Sequence, residues 1–234
     1  MSVLLNILKW VFITYLVTSY KSIPGAYFIR FYYHAFRLLL LPSLQGKKTT
    51  TQIERLQKDP LGCFALSRLR TYVSPLECDF YFHKNNCTYF TDLDISRSKL
   101  MCAIFQKLFL NSKRYPFVPV ANVFTNFLKE LKPMAKYNVV TSVLCWDEKW
   151  LYVISRFTQG KKDDLLCSLS LTKYVLKDGR KTIKPRDALE ICGLYNLQVE
   201  EISAKNLKIL TEECGFHETR PLENLEFPYM ELND

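Results

Sequence analysis

The sequence predicts an α+β fold in which a curved antiparallel sheet covers one long helix. Two observations carry this expectation. Apolar residues recur at three- and four-residue steps through residues 86–110 (Leu93, Met101, Ile104, Phe105, Leu108), which marks a helix with one apolar face. From Ala121 the pattern changes to period two, and turn residues divide the chain beyond it into successive strands. Strands gathered after a helix, joined by short turns, pair antiparallel and leave one face for the helix.

Residues 53–69 have short helical potential, interrupted at Asp59-Pro60 and Gly62, and residues 71–73 are strand-like. In the helix over 86–110, Asp92 and Asp94 lie near the start and Lys107 and Lys113 near the end, as the helix dipole prefers. Helical phase sets Asp92 and Asp94 about 200° apart, so they read as solvated acids of the early helix rather than an acid/base dyad. Residues 121–131 alternate as a strand that Lys132-Pro133 ends. Strands over 138–146 and 150–158 flank the turn Asp147-Glu148-Lys149 and form a hairpin. A charged loop (161–164) leads to a strand over 165–176, and Asp178-Gly179 is a tight turn across which 181–184 pairs back. Short helices are expected over 186–195 and 204–214, then an acidic, loop-like tail from Glu218 that is a candidate to oppose the basic N-terminal region.

Three regions result: 1–46, 47–184 and 185–234. Residues 1–53 hold six basic residues and no acid. Residues 3–20 are apolar except for Asn6, Lys9 and small hydroxyls, and as a helix would extend ~27 Å, marginal for the hydrocarbon core of a bilayer. The basic residues on its C-terminal side would place the remainder in the cytosol. A core-packing helix and a mitochondrial presequence are the alternatives; no small-x-small cleavage site marks a secretory signal. Residues 24–42 read as a proline-bounded helix with Arg30, His34 and Arg37 as a thin polar stripe opposite Tyr27, Phe28, Phe31, Tyr32 and Phe36. That pattern suits a bilayer interface or a helix lying on the sheet. The expected setting is a membrane, the endoplasmic reticulum first, with membrane lipid as a partner.

Composition excludes several classes. The 234 residues carry a net charge of +9, with 48% apolar and 14% aromatic residues, too apolar for a disordered chain. The basic surplus flanks apolar sequence and no nucleic-acid motif accompanies it. Eight cysteines never approach Cys-x-x-Cys spacing and only three histidines are present, so a metal site is not expected and the thiols read as reduced. No Gly-rich phosphate loop is present and no cofactor is expected.

One stretch concentrates chemistry. Residues 78–89 run Cys-Asp-Phe-Tyr-Phe-His-Lys-Asn-Asn-Cys-Thr-Tyr, placing Asp79, His83, Asn85 and Asn86 just ahead of the long helix. The first amides of a helix lack partners and carry the positive end of its dipole. They can hold a carbonyl oxygen while a carboxylate attacks or activates water. The same residues equally fit a helix cap and a turn.

The spacing Asp79-x-x-x-His83-x-Asn85-Asn86-x-x-Tyr89 resembles the signature of hotdog-fold thioesterases of the 4-hydroxybenzoyl-CoA type. The nearest resemblance is to the thioesterase superfamily member six-like proteins, which share the acid-to-His-x-Asn-Asn spacing and a Trp-Asp pair, here Trp146-Asp147. The resemblance implies a hotdog fold over 47–184, an acyl-CoA substrate, a homodimer, Asp79 as nucleophile or base, and His83, Asn85 and Asn86 at the substrate. Phe82 stands where catalytic members carry Gly. A bulky residue there keeps a second reading open, a non-catalytic acyl-binding or scaffold protein at a membrane.

Overall fold

The computed structural model describes residues 2–112, 116–160, 163–215 and 218–233. Lys113, Lys161 and Lys162 of the expected charged loop, and His217 lie outside the described residues. The chain opens with α1 (Ser2–Thr18), a short turn (Tyr20–Ser22) and α2 (Ala26–Ala35), which continues through a wider turn (Phe36–Leu40) into α3 (Leu41–Leu44). Helix α1 has 17 residues and spans about 26 Å at 1.5 Å per residue. Among the described residues no helix is long and apolar enough to cross a membrane, which corrects the expected transmembrane helix.

Helix α4 (Thr51–Lys58), capped by the Thr50 hydroxyl, precedes β1 (Ser67–Tyr72), so the first strand begins earlier than residues 71–73 suggested. The long helix divides at Phe105 into α5 (Asn86–Ile104) and α6 (Gln106–Asn111). The backbone of Phe105 (φ −96°, ψ 17°) leaves the helical range there, and its ring is fully buried. Strands β2 (Val120–Phe127), β3 (Lys136–Trp146), β4 (Leu151–Gln159) and β5 (Leu165–Tyr174) complete one sheet in the order β1-β3-β4-β5-β2, every pair antiparallel. Strand β2 is shorter than the period-two run; Leu131 instead buries its side chain beneath the start of α5. The β3–β4 hairpin closes on Asp147, whose Oδ1 accepts the N–H groups of Lys149 (2.8 Å) and Trp150 (2.7 Å). Strands β6 (Leu176–Asp178) and β7 (Lys181–Ile183) pair across the turn at Gly179, whose φ of 58° favours glycine.

Helix α5 packs on one face of the sheet. Tyr89 and Leu93 meet Tyr137, Val139 and Phe157; Leu100 and Ile104 meet Val143, Val153 and Leu151. Burying each such Leu contributes about 1.5–3 kcal/mol. Midway along the helix, a row of hydroxyl side chains crosses all five strands in register: Ser67, Thr141, Ser155, Ser170 and Thr125. They satisfy one another (Thr141–Ser155 and Thr125–Ser170, 2.8 Å each), and Ser96 of α5 bonds Thr141 at 2.8 Å.

The alternate residues of the strands, Leu144, Ile154 and Leu169, face the other way. They are covered by α8 (Leu197–Lys208), which follows α7 (Pro185–Cys192) and precedes α9 (Arg220–Glu223). Asn206 Nδ2 donates to Leu144 O (2.9 Å) and Arg156 Nη1 to Leu225 O (3.0 Å). The C-terminal extension is thus a third layer. Its tail joins β1 rather than the basic N-terminal region: Leu66 and Met230 share a 2.7 Å backbone bond, and Arg68 binds Glu231 at 2.6 Å.

Candidate functional site

Residues 77–85 form a loop with a pinched neck. Cys78 and Lys84 bridge antiparallel, Asn85 N–H donates to Glu77 O (2.8 Å), and Asp79 N–H donates to His83 O (3.1 Å). The tip closes by Phe82 N–H donating to Asp79 O at 3.1 Å, with Phe82 at φ 57°. Phe82 therefore holds the left-handed conformation that glycine adopts most easily. Its ring is 77% exposed and points off the loop with those of Phe80 and Tyr81.

Asp79 and His83 are brought together. His83 Nδ1 lies 3.6 Å from Asp79 Oδ1, both side chains about one-fifth exposed (21% and 22%). The same Oδ1 accepts Tyr81 N–H (3.0 Å), and the Tyr81 and His83 rings stack at 5.8 Å. The carboxylate is thus aimed by a backbone donor while keeping an oxygen for chemistry.

Asn85 is the N-cap of α5: its Oδ1 accepts Cys87 N–H at 2.9 Å, worth about 1 kcal/mol. Its amide holds the helix start, and Asn86 is exposed on the first turn. The Lys84 N–H is spent on Leu131 O (2.8 Å) and that of Asn85 on Glu77. Among the described residues no hydrogen bond engages the N–H groups of His83 and Asn86.

Behind the loop lies a buried charge cluster that sequence reasoning missed. Asp92 is fully buried, which corrects its reading as a solvated acid; Asp94, on the opposite phase, is one-third exposed. Asp92 Oδ2 meets Lys84 Nζ (3.0 Å) and Lys21 Nζ (3.2 Å) and accepts the Tyr137 hydroxyl; Oδ1 meets Arg30 Nη2 (2.8 Å). Glu77 Oε2 binds both ammoniums, Lys21 at 2.9 Å and Lys84 at 3.3 Å. Burial pushes the Asp92 carboxyl up, but Lys84, Lys21, Arg30 and the Tyr137 hydroxyl outweigh it and hold the group well below the usual carboxylate range. Burial, with Asp92 beside it, pushes the Tyr137 phenol well above its ordinary value. Burial also lowers the Lys21 ammonium against the pull of Asp92, and the neighbouring Lys84 ammonium lowers it further. Lys21 and Asp92 are 71 positions apart, a separation no local spacing rule could have joined. The one nearby signal was Lys84, eight residues before Asp92 and inside the motif.

Strand β2 is an edge, the Tyr89 ring meets Phe127 at its end (5.0 Å), and Lys84 is tied to Leu131 just beyond. Asp79 lines neither of two prominent cavities. One, of about 270 Å³, lies between β2, β5 and the C-terminal layer (Val123, Phe124, Leu171, Leu210, Leu222); the other, about 580 Å³ and polar, sits at the β3–β4 turn against α7 and α8. Among the described residues no group of His, Cys, Asp and Glu side chains could hold a metal ion.

Residues 73–208 match the model of the thioesterase-like superfamily. The chain is 66% identical over 224 residues to the probable thioesterase YBR096W of Saccharomyces cerevisiae, covering 96% of each. It is 29% identical over 107 residues to Protein THEM6 of Xenopus laevis, covering 44% of this chain and 50% of that one. In fold it resembles the hypothetical protein SAV2348 of Staphylococcus aureus, solved in complex with CoA, with a TM-score of 0.50, 13% identity, and coverage of 70% of this chain and 95% of that one.

Proposed function

Since this chain belongs to the thioesterase-like superfamily, with its hotdog fold, we infer that it hydrolyses an acyl-CoA thioester at the loop 79–86. One observation carries the reading: the Asp79 carboxylate stands in the same short loop as the two unspent N–H groups of His83 and Asn86. A thioester carbonyl seated on those donors would have its developing negative charge held by the helix start. Asp79 then either adds to the carbonyl carbon or takes a proton from the water that does. In the first case the C–S bond breaks, CoA leaves as the thiolate, and water hydrolyses the acyl–Asp79 anhydride to restore the carboxylate, its released proton going to the thiolate. In the second the proton that Asp79 takes from water passes to the departing sulfur as the C–S bond breaks. Either way CoA thiol and an acyl carboxylate are released. His83, near Asp79 Oδ1, orients that carboxylate; Asn85 acts by fixing the helix start, and Asn86 lies where it can meet the polar part of the substrate.

The proposed assembly is a homodimer. Strand β2 is an edge of the sheet, and an unpaired strand edge is a surface another copy can cover. A second copy there would roof the loop and supply the far wall of an acyl pocket.

The proposed setting is a membrane surface, that of the endoplasmic reticulum first, with the sheet on the cytosolic side. Helix α2 supports it by its inverted polarity. Its cation Arg30 turns inward to Asp92, while Phe28, Tyr32 and Tyr33 are exposed by 59%, 60% and 53%. In α1, Val3 to Phe12 likewise present most of their apolar side chains to the outside. Such a surface is stable against lipid rather than water. The cysteines are all free, as in a reducing compartment.

The test is release of free thiol from a series of acyl-CoAs of different chain length by the purified full chain, with and without phospholipid vesicles. Turnover of at least one chain length, enhanced by vesicles, is expected. Thiol release at the uncatalysed rate for every chain length in both conditions would overturn the reading.

A further inference from the structure

The neck of the loop and the N-terminal region share one buried site. Glu77 and Lys84 form the two sides of the neck, and both turn their charged ends inward. Between them and Asp92 sits the Lys21 ammonium, 2.9 Å from Glu77 Oε2, 3.2 Å from Asp92 Oδ2 and 3.1 Å from Thr71 Oγ1. Its side chain is 2% exposed, that of Lys84 is 0%, and that of Asp92 is 0%. Lys21 and Arg30 are the members of this site that come from the region before α4. Arg30 reaches only Asp92, so without Lys21 the one ammonium left to Glu77 would be that of Lys84, at 3.3 Å and shared with Asp92. A buried carboxylate that loses its nearer ammonium draws in water or rearranges its neighbours, and here the neighbours are the two walls of the loop.

We propose that Lys21 is a positioning residue for Asp79, acting through Glu77 and Lys84, so that docking of the N-terminal region sets the geometry of the reacting loop. The consequence for turnover rests on the reading of loop 79–86 as the reacting centre; the physical coupling does not. Lys21 touches neither the substrate donors nor Asp79. Its effect passes through the neck bonds Asn85 N–H to Glu77 O and Asp79 N–H to His83 O. The N-terminal region that carries the exposed apolar face is therefore also a structural part of the site, and whatever surface receives that face is linked to the loop by one ammonium.

The experiment is amide hydrogen exchange on the full chain, comparing the unaltered protein with Lys21→Met, which keeps the stem and removes the charge. The amides of Asp79, Phe82 and Asn85 are expected to exchange at least tenfold faster, with those of the β3–β4 hairpin within twofold of the unaltered protein. In thiol release, kcat is expected to fall at least tenfold with KM nearly unchanged. Unaltered exchange in the loop, or equal acceleration throughout the sheet, would overturn the proposal, the latter by making Lys21 a general stabiliser. Should Lys21→Met not fold, Arg30→Gln removes one cation and leaves both ammoniums. It is expected to accelerate the same loop amides a few-fold, and no acceleration would overturn the proposal. A protein inert in thiol release whose loop still loosens on Lys21→Met would remove the thioesterase reading alone.

Discussion

The ammonium of Lys84 lies 3.0 Å from Oδ2 of Asp92, with both side chains shut off from solvent. The contact joins the loop that carries Asp79 to the helix whose first turn would receive the substrate. It explains why a lysine sits between His83 and Asn85, where the exposed residues of the loop would suggest a surface position.

Asp92→Asn should be strongly destabilising. It leaves Lys21, Lys84 and Arg30 around a neutral amide, and breaking a buried pair from one side typically costs about 3–5 kcal/mol. Denaturant unfolding of the full chain measures this; a loss within 1 kcal/mol, roughly the effect of an exposed pair, would mean the cluster is not dry.

The same cluster sets a pH response at both ends. The Asp92 pKa is depressed in the folded state, so its contribution is present above the unfolded value near ~4 and is lost as pH falls below it. The Tyr137 pKa is raised, so its contribution is present below ~10 and is lost as pH rises beyond. Thermal unfolding across the pH range should show both limbs. Tyr137→Phe should make the alkaline limb shallower, the rest of it coming from Tyr89, Tyr152 and Tyr174, which burial also raises, and an unchanged alkaline limb would contradict the assignment.

Phe82→Gly should stabilise the protein or leave it unchanged. A left-handed conformation costs a residue with a side chain roughly 1–2 kcal/mol, partly offset by the roughly 0.5–1 kcal/mol of extra freedom glycine gains when unfolded. The Phe82 ring is 77% exposed, so little packing is lost. A melting temperature lowered by several degrees would show that the ring is covered, by a second copy or by lipid.

The sheet and its hairpins were legible because their signals are local. Period two locates β3 and β4, Asp147 closes their turn with its own side chain, and Gly179 supplies the positive φ at the next. The loop was legible for the same reason, as its chemistry falls within eight residues. The charge cluster was not, because Lys21, Tyr137 and Asp92 meet only through tertiary packing. Helical phase separated Asp92 from Asp94 correctly, yet phase alone does not say which face a sheet will cover. For α1 and α2 the apolar pattern was visible, but an exposed apolar helix and a spanning one differ in length and docking. Among the described residues no helix is long and apolar enough to span, and Lys21 and Arg30 dock against α5 through Asp92.

Asp79 is proposed as the reacting carboxylate, and the chemistry of the loop rests on that role. It is tested by measuring kcat/KM for thiol release with the full-length Asp79→Asn protein beside the unaltered one, after matching their melting temperatures. A loss of roughly 10²–10⁴-fold with the fold intact is expected, the usual scale for removing an acid–base group. Activity within threefold of the unaltered protein would contradict it.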